Sequence, residues 1–186
     1  MYMETPSLIV LPDRKWDRES KVKATMTFHR DEILYDCDNC AFVEGDIADL
    51  PEMEHARHQI QDIAEEGNVD RVTRVLNLAH AEVVELLFPF TKNDVDGNDD
   101  LDDTKEEPET YTVSLNLPAK FSKTTVNLLL HLIHEYMVCR VMQDWLSITY
   151  PKAADIWAEK VEDVRQRIKE AKAARTGFTK RNMSPF

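Results

Sequence analysis

VNLLLHLIHEYMVCRVMQDWLSI, residues 126–148, is a run in which Leu128, Leu129, Leu130, Leu132, Ile133, Met137, Val138, Val141, Met142, Trp145 and Leu146 fall on nearly every side of a 3.6-residue period. A helix apolar all round can be stable only where neighbours cover several of its faces, so this segment is expected at the centre of the fold. Ser122 is placed to cap its start, which sets the helix at about 122–148. Downstream, Pro151 suits the first turn of another helix, in which Trp157, Val161, Val164, Ile168 and Ala171 step by four, three, four and three. That spacing is a coiled-coil seam, and the short link at Tyr150 makes 152–175 the second arm of an antiparallel helical hairpin.

Upstream, TYTVSLNLP alternates: Tyr111, Val113, Leu115 and Leu117 face one way and Thr112, Ser114 and Asn116 the other, as a half-buried strand over 110–117 would. Two helices are expected earlier. One opens at Pro51 and carries Met53, Ala56, Ile60, Ile63 and Ala64; the other spans Val69 to Leu87 with Val72, Leu76, Ala79 and Val83 on one face, and Pro89 stops it. Gly67 reads as a left-handed cap between them and Asn68 as the next N-cap. Residues 26–45 read as a β-hairpin, with TMTFH, EILYD and AFVEGD as strand material and Asp38-Asn39 at the turn. Leu8 to Leu11 could form an edge strand, and Asp13 to Lys23 a charged loop. The expected fold is therefore α+β, mainly α: about four helices, the central one included, and a small antiparallel sheet made of the hairpin and the strand 110–117. All 186 residues form one domain, with 93–109 as an acidic flexible loop and 177–186 as a basic C-terminal tail.

The formal charge of -12 is unevenly distributed. Residues 31–110 hold 24 acids against five bases, whereas 151–186 hold nine bases against five acids. An acidic surface repels phosphate backbones, so general nucleic-acid binding is not expected; a basic partner, or the basic end of another copy, suits it better. The opening MYMETPSLIV has no charged leader followed by a long apolar stretch, and no run reaches the roughly 18 residues of a membrane span. With three cysteines, an odd number, the expected setting is reducing: the cytoplasm, or a phage particle assembled there.

Four patterns could carry chemistry. Cys37-x2-Cys40 followed by His55-x2-His58 has the ligand types of a zinc site, since zinc takes four N or S donors in a tetrahedron. The two-residue gap between the histidines is shorter than usual, and the alternative is two small residues beside a turn and two histidines on a solvated helix. His131 and His134, with Glu135 and Cys139 following, share a helix face, but the order matches neither H-E-x-x-H nor its inverse and no third ligand is identifiable. Asp94, Asp96, Asn98 and Asp100 alternate as calcium ligands do. Setting Gly97 at the sixth position of an EF-hand loop, however, puts Lys92 first and Asp103 last, where a carboxylate and a glutamate belong. Lys169, Lys172, Arg175, Lys180 and Arg181 form a basic end that could dock on an acidic surface or merely complement a helix dipole. No G-x-S-x-G, G-x-G-x-x-G or phosphate-cradling loop occurs, so no catalytic residue and no cofactor is assigned.

HARHQIQDIAEEGNVDRVTRVLNLAHAEVVELLFPFTK (55–92), LIHEYMVCRVMQDWLSITYP (132–151) and the closing MSPF (183–186) resemble a group of uncharacterised proteins encoded among prophage-like or mobile-element genes of gut anaerobic bacteria. The resemblance runs from Phe28 onward and is loosest at 93–109. It implies a small virion or head-to-tail assembly protein, and it carries no catalytic residue across. The expected function is that of a non-enzymatic interaction protein whose partners are proteins, copies of itself included, with no membrane partner. The rival expectations are a metal-dependent enzyme using the histidine pairs, and an acidic regulator that mimics nucleic acid.

Overall fold

A computed structural model describes residues 21–48, 54–93, 104 and 106–173. In chain order the elements are β1 (Lys21–His29), α1 (Arg30–Ile47), α2 (Glu54–Gln61) with a 3-10 turn at Asp62–Ala64, α3 (Glu66–Leu86), β2 (Thr110–Pro118), α4 (Lys123–Thr149) and α5 (Pro151–Ala173). The fold is α+β and mainly helical, with a two-stranded antiparallel sheet.

Helix α4 is the centre, as its composition requires. It buries Leu129, Leu132, Ile133, Tyr136, Met137, Val138, Cys139, Val141, Met142, Trp145 and Leu146, and it contacts α1, α2, α3 and α5. Tyr150 alone separates it from α5, and the two pack as an antiparallel hairpin on the expected seam, with Trp157, Val164, Ile168 and Ala171 buried and Val161 half-buried. One core cluster joins these helices to the sheet.

β2 finds its partner more than eighty residues earlier. Met26 stands opposite Val113 and Phe28 opposite Tyr111, all four buried, while Thr25, Thr27, Thr112 and Ser114 form the polar face. The end of the ribbon is tied to α3: Tyr111 donates its hydroxyl hydrogen to Asn77 Oδ1 at 2.6 Å, Asn77 Nδ2 donates to the Glu106 carbonyl at 2.9 Å, and Arg30 Nη2 donates to buried Thr73 Oγ1 at 2.9 Å.

Several expectations need correction. Residues 30–47 are not the second half of a hairpin but an 18-residue helix, and Asp38-Asn39 lies inside it. The reason is visible in what it buries: Ile33, Cys37, Ala41 and Gly45 recur every four residues, a helical period that the outward apolar residues conceal. Lys21 to Lys23 belong to β1 rather than to a loop. Gly67 is not a left-handed cap: it is the second residue of α3, and no described glycine has positive φ. Asn68 lies in the first turn of α3 and donates Nδ2 to the Asp62 carbonyl at 2.7 Å, holding the 3-10 turn against the helix start. Among the described residues there are thus five α-helices rather than four. The possible strand at 8–11, the start of the helix at Pro51, the centre of the acidic loop and the tail at 177–186 lie outside the described residues.

Candidate functional site

The zinc pattern comes apart in the fold. Cys37 and Cys40 sit one turn apart on α1 rather than around a hairpin turn, with Cys37 buried and Cys40 half-buried. His55 and His58 are exposed on α2, where Gln59 Nε2 lies 3.4 Å from His55 Nε2. Among the described residues no group of three or more His, Cys, Asp or Glu side chains is arranged to hold a metal ion. Instead, the two α1 thiols face Cys139 on α4. Burial raises the pKa of all three: Cys139 is pushed up to about 12, with the Glu135 carboxylate, which accepts its thiol hydrogen at 3.7 Å, as the next cause. Holding the thiols protonated lowers their nucleophilicity, because the thiolate is the reactive form.

The two α4 histidines are used separately. His134 Nε2 lies 2.8 Å from Asp36 Oδ2, joining α4 to α1, while exposed His131 faces a groove of about 640 Å³ between α4 and α5. The calcium candidates Asp94, Asp96, Asn98, Asp100 and Asp103 lie outside the described residues, as do Arg175, Lys180 and Arg181. Of the basic end, Lys172 is committed inside the fold: its Nζ donates to the Leu86 carbonyl at 2.6 Å and to the Phe88 carbonyl at 3.1 Å, satisfying groups that the end of α3 leaves unpaired. Lys169 lines a larger groove of about 860 Å³ bounded by α3, α4 and α5. The floor of that groove is a closed network in which Glu82 Oε2 accepts the Tyr136 hydroxyl hydrogen at 2.7 Å and lies 3.4 Å from Arg140 Nε. Burial and the Glu82 carboxylate both hold the Tyr136 phenol above its ordinary pKa.

The feature that the hairpin reading hid is the outer face of α1. Tyr35, Phe42, Val43 and Ile47 are 67%, 56%, 56% and 69% exposed on one helix, whose inner face is Ile33, Cys37, Ala41 and Gly45, narrowing to small residues toward its end. The small inner face has its own logic. At Gly45 the helix meets α2 so closely that Arg57 Nε donates to the Gly45 carbonyl at 3.2 Å and Gln61 Nε2 to the Phe42 carbonyl at 3.3 Å. α1 therefore does not put its largest side chains into the core; it turns them outward. At 100° per residue, Tyr35 and Phe42 form one row, flanked by an Asp31–Asp38 row on one side and a Glu32–Asn39–Asp46 row on the other. The helix carries six acids against Arg30 alone. The sequence signal was the pair of apolar clusters ILY (33–35) and CAFV (40–43), two turns apart and too wide for a single buried stripe.

No family model, no curated protein and no solved structure matches the chain. No helix among the described residues is long and apolar enough to cross a membrane.

Proposed function

We propose that this chain is a non-enzymatic interaction subunit that associates with copies of itself, of the kind a virion head-to-tail assembly would use. The observation that carries the reading is the outer face of α1. Single exposed apolar residues are ordinary on any protein surface, whereas Tyr35 and Phe42 form an aromatic row two turns long, with Val43 and Ile47 exposed on the same helix beyond the Glu32–Asn39–Asp46 row, and such a concentration marks a contact surface. Fully covering an exposed side chain of this size contributes about 1.5–3 kcal/mol, so burial of Tyr35, Phe42, Val43 and Ile47 supplies a favourable term to set against the cost of association. The acidic middle and basic end of the chain add a second, polar complementarity between copies.

Sedimentation velocity of the purified protein across concentration and salt tests this. Association that grows with concentration, weakens with salt and is lost in Phe42→Asp is the expected result. A monomer at every concentration, indistinguishable from Phe42→Asp, would refute it. Capsid, portal or tail genes beside the coding sequence would support the virion context, and their absence would restrict the reading to self-association alone.

A further inference from the structure

Resting on that reading, we infer that the aromatic row of α1 receives residues 174–186, ARTGFTKRNMSPF, of a neighbouring copy. Three observations converge on this occupant. The first is charge. The Tyr35–Phe42 row runs between carboxylates, and among the described residues Asp31, Glu32 and Asp38 have no side-chain partner, whereas Asp36 is matched by His134 and Asp46 by Arg57 at 3.3 Å. Residues 174–186 hold Arg175, Lys180 and Arg181 and no acid. The same rows argue against two α1 helices packing face to face, because the carboxylates of one would stand against those of the other.

The second observation is apolar content. Phe178, Met183 and Phe186 alternate with the basic residues of that segment, so it can cover aromatic surface while its cations meet the flanking acids. A basic segment without such residues would pair with the rim and leave Tyr35 and Phe42 in water.

The third is where the segment begins. α5 meets α1 near its start, where Trp157 Nε1 donates to Glu44 Oε1 at 2.8 Å. It ends against α3, where Lys172 holds the Leu86 carbonyl. Those contacts are fifteen residues apart on one helix, so the segment leaves the end of α5 about 22 Å along its axis from the Trp157–Glu44 contact with α1. A contact from the end of one copy to the α1 of the next is heterologous, and it builds a ring when the rotation closes and a filament when it does not.

A complementation experiment on the full-length chain decides the matter. Phe42→Asp removes the receiving surface at an exposed position, and the double variant Lys180→Glu/Arg181→Glu reverses the charge of the segment without touching a described element. Each alone is expected to associate at least about tenfold more weakly than the parent chain in sedimentation velocity. A mixture of the two is expected to form a 1:1 complex and nothing larger, because one variant retains the segment and the other retains the surface. If the double variant associates as the parent does while Phe42→Asp does not, α1 docks something else: the inference falls and self-association stands. A parent chain that stays monomeric, with tyrosine and indole fluorescence or protease sensitivity altered by the double variant, would place the segment on its own copy and overturn the inference. A monomeric parent indistinguishable from both variants would overturn self-association as well.

Discussion

Gly45 of α1 and Gln61 of α2 approach so closely that a Cβ on the glycine would stand 2.6 Å from Gln61 Cγ, with Cδ and Nε2 of the same side chain at 3.0 Å. Glycine here is a matter of space and not of backbone conformation, since the residue is helical. Gly45→Ala sets two effects against each other: about 1 kcal/mol gained in helix propensity, and about 1–3 kcal/mol lost to overpacking as Gln61 is pushed off the Phe42 carbonyl. The second is expected to win by about 1 kcal/mol. Adding Gln61→Ala clears the space, so the double variant should unfold at higher urea than Gly45→Ala alone; additive losses in the cycle would show that the contact is not the cause.

Trp145 explains how the 3-10 turn after α2 is fixed to the centre of the fold. Its indole Nε1 donates to the Ile60 carbonyl at 2.8 Å, and both residues are buried. Trp145→Phe keeps most of the apolar bulk and leaves that carbonyl without its donor, a loss of about 1–3 kcal/mol. Chemical denaturation should show a lower midpoint with an unchanged slope. A midpoint equal to the parent's would mean that water replaces the indole.

These contacts also show which parts of the fold were legible in the sequence. Helix α4 was, because eleven buried residues spread around one helix leave little other interpretation, and so was β2, whose alternation of Tyr111, Val113, Leu115 and Leu117 is unbroken. α1 was not. Its buried positions are Ile33, Cys37, Ala41 and Gly45, half of them too small to register as a hydrophobic stripe, while its conspicuous residues, Tyr35, Phe42 and Val43, point outward. A pattern read on the assumption that large apolar residues are buried must fail on an element that displays them. The misread segment and the candidate contact surface are therefore one feature. The zinc pattern is misleading for a related reason: Cys37-x2-Cys40 lies within a helix and not at a turn.

Lys172 separates a structural cation from the basic end around it. Because its ammonium serves the Leu86 and Phe88 carbonyls, Lys172→Met should destabilise the fold, by about 1–2 kcal/mol, while leaving association of the folded protein unchanged. Thermal unfolding and sedimentation velocity on the same preparation read the two effects independently. Loss of association without loss of stability would place Lys172 on the contact surface instead.

The buried thiols and phenols impose a direction on stability at alkaline pH. Burial holds Cys139 at about 12 against an ordinary 9.0, and Tyr111 at about 12 against 10.0, with Arg30 pulling the phenol slightly the other way. Cys37 and Tyr136 are raised too, with burial again the first cause. The unfolded chain releases these protons near pH 9 to 10, whereas the native chain retains them until about pH 12. The native state thus binds more protons across that window, so the contribution is complete below pH 9 and is lost as pH rises toward 12. Each group that titrates only in the unfolded chain costs about 1.4 kcal/mol per pH unit. Urea midpoints at about pH 8, 9 and 10.5 should be level between the first two and fall at the third, and Cys139→Ala should flatten the fall. Alkylation at about pH 8 reads the same burial site by site: half-buried Cys40 should react first, and Cys37 and Cys139 only on unfolding. Equal rates at all three would show that α1 opens from α4 far more readily than its buried face implies.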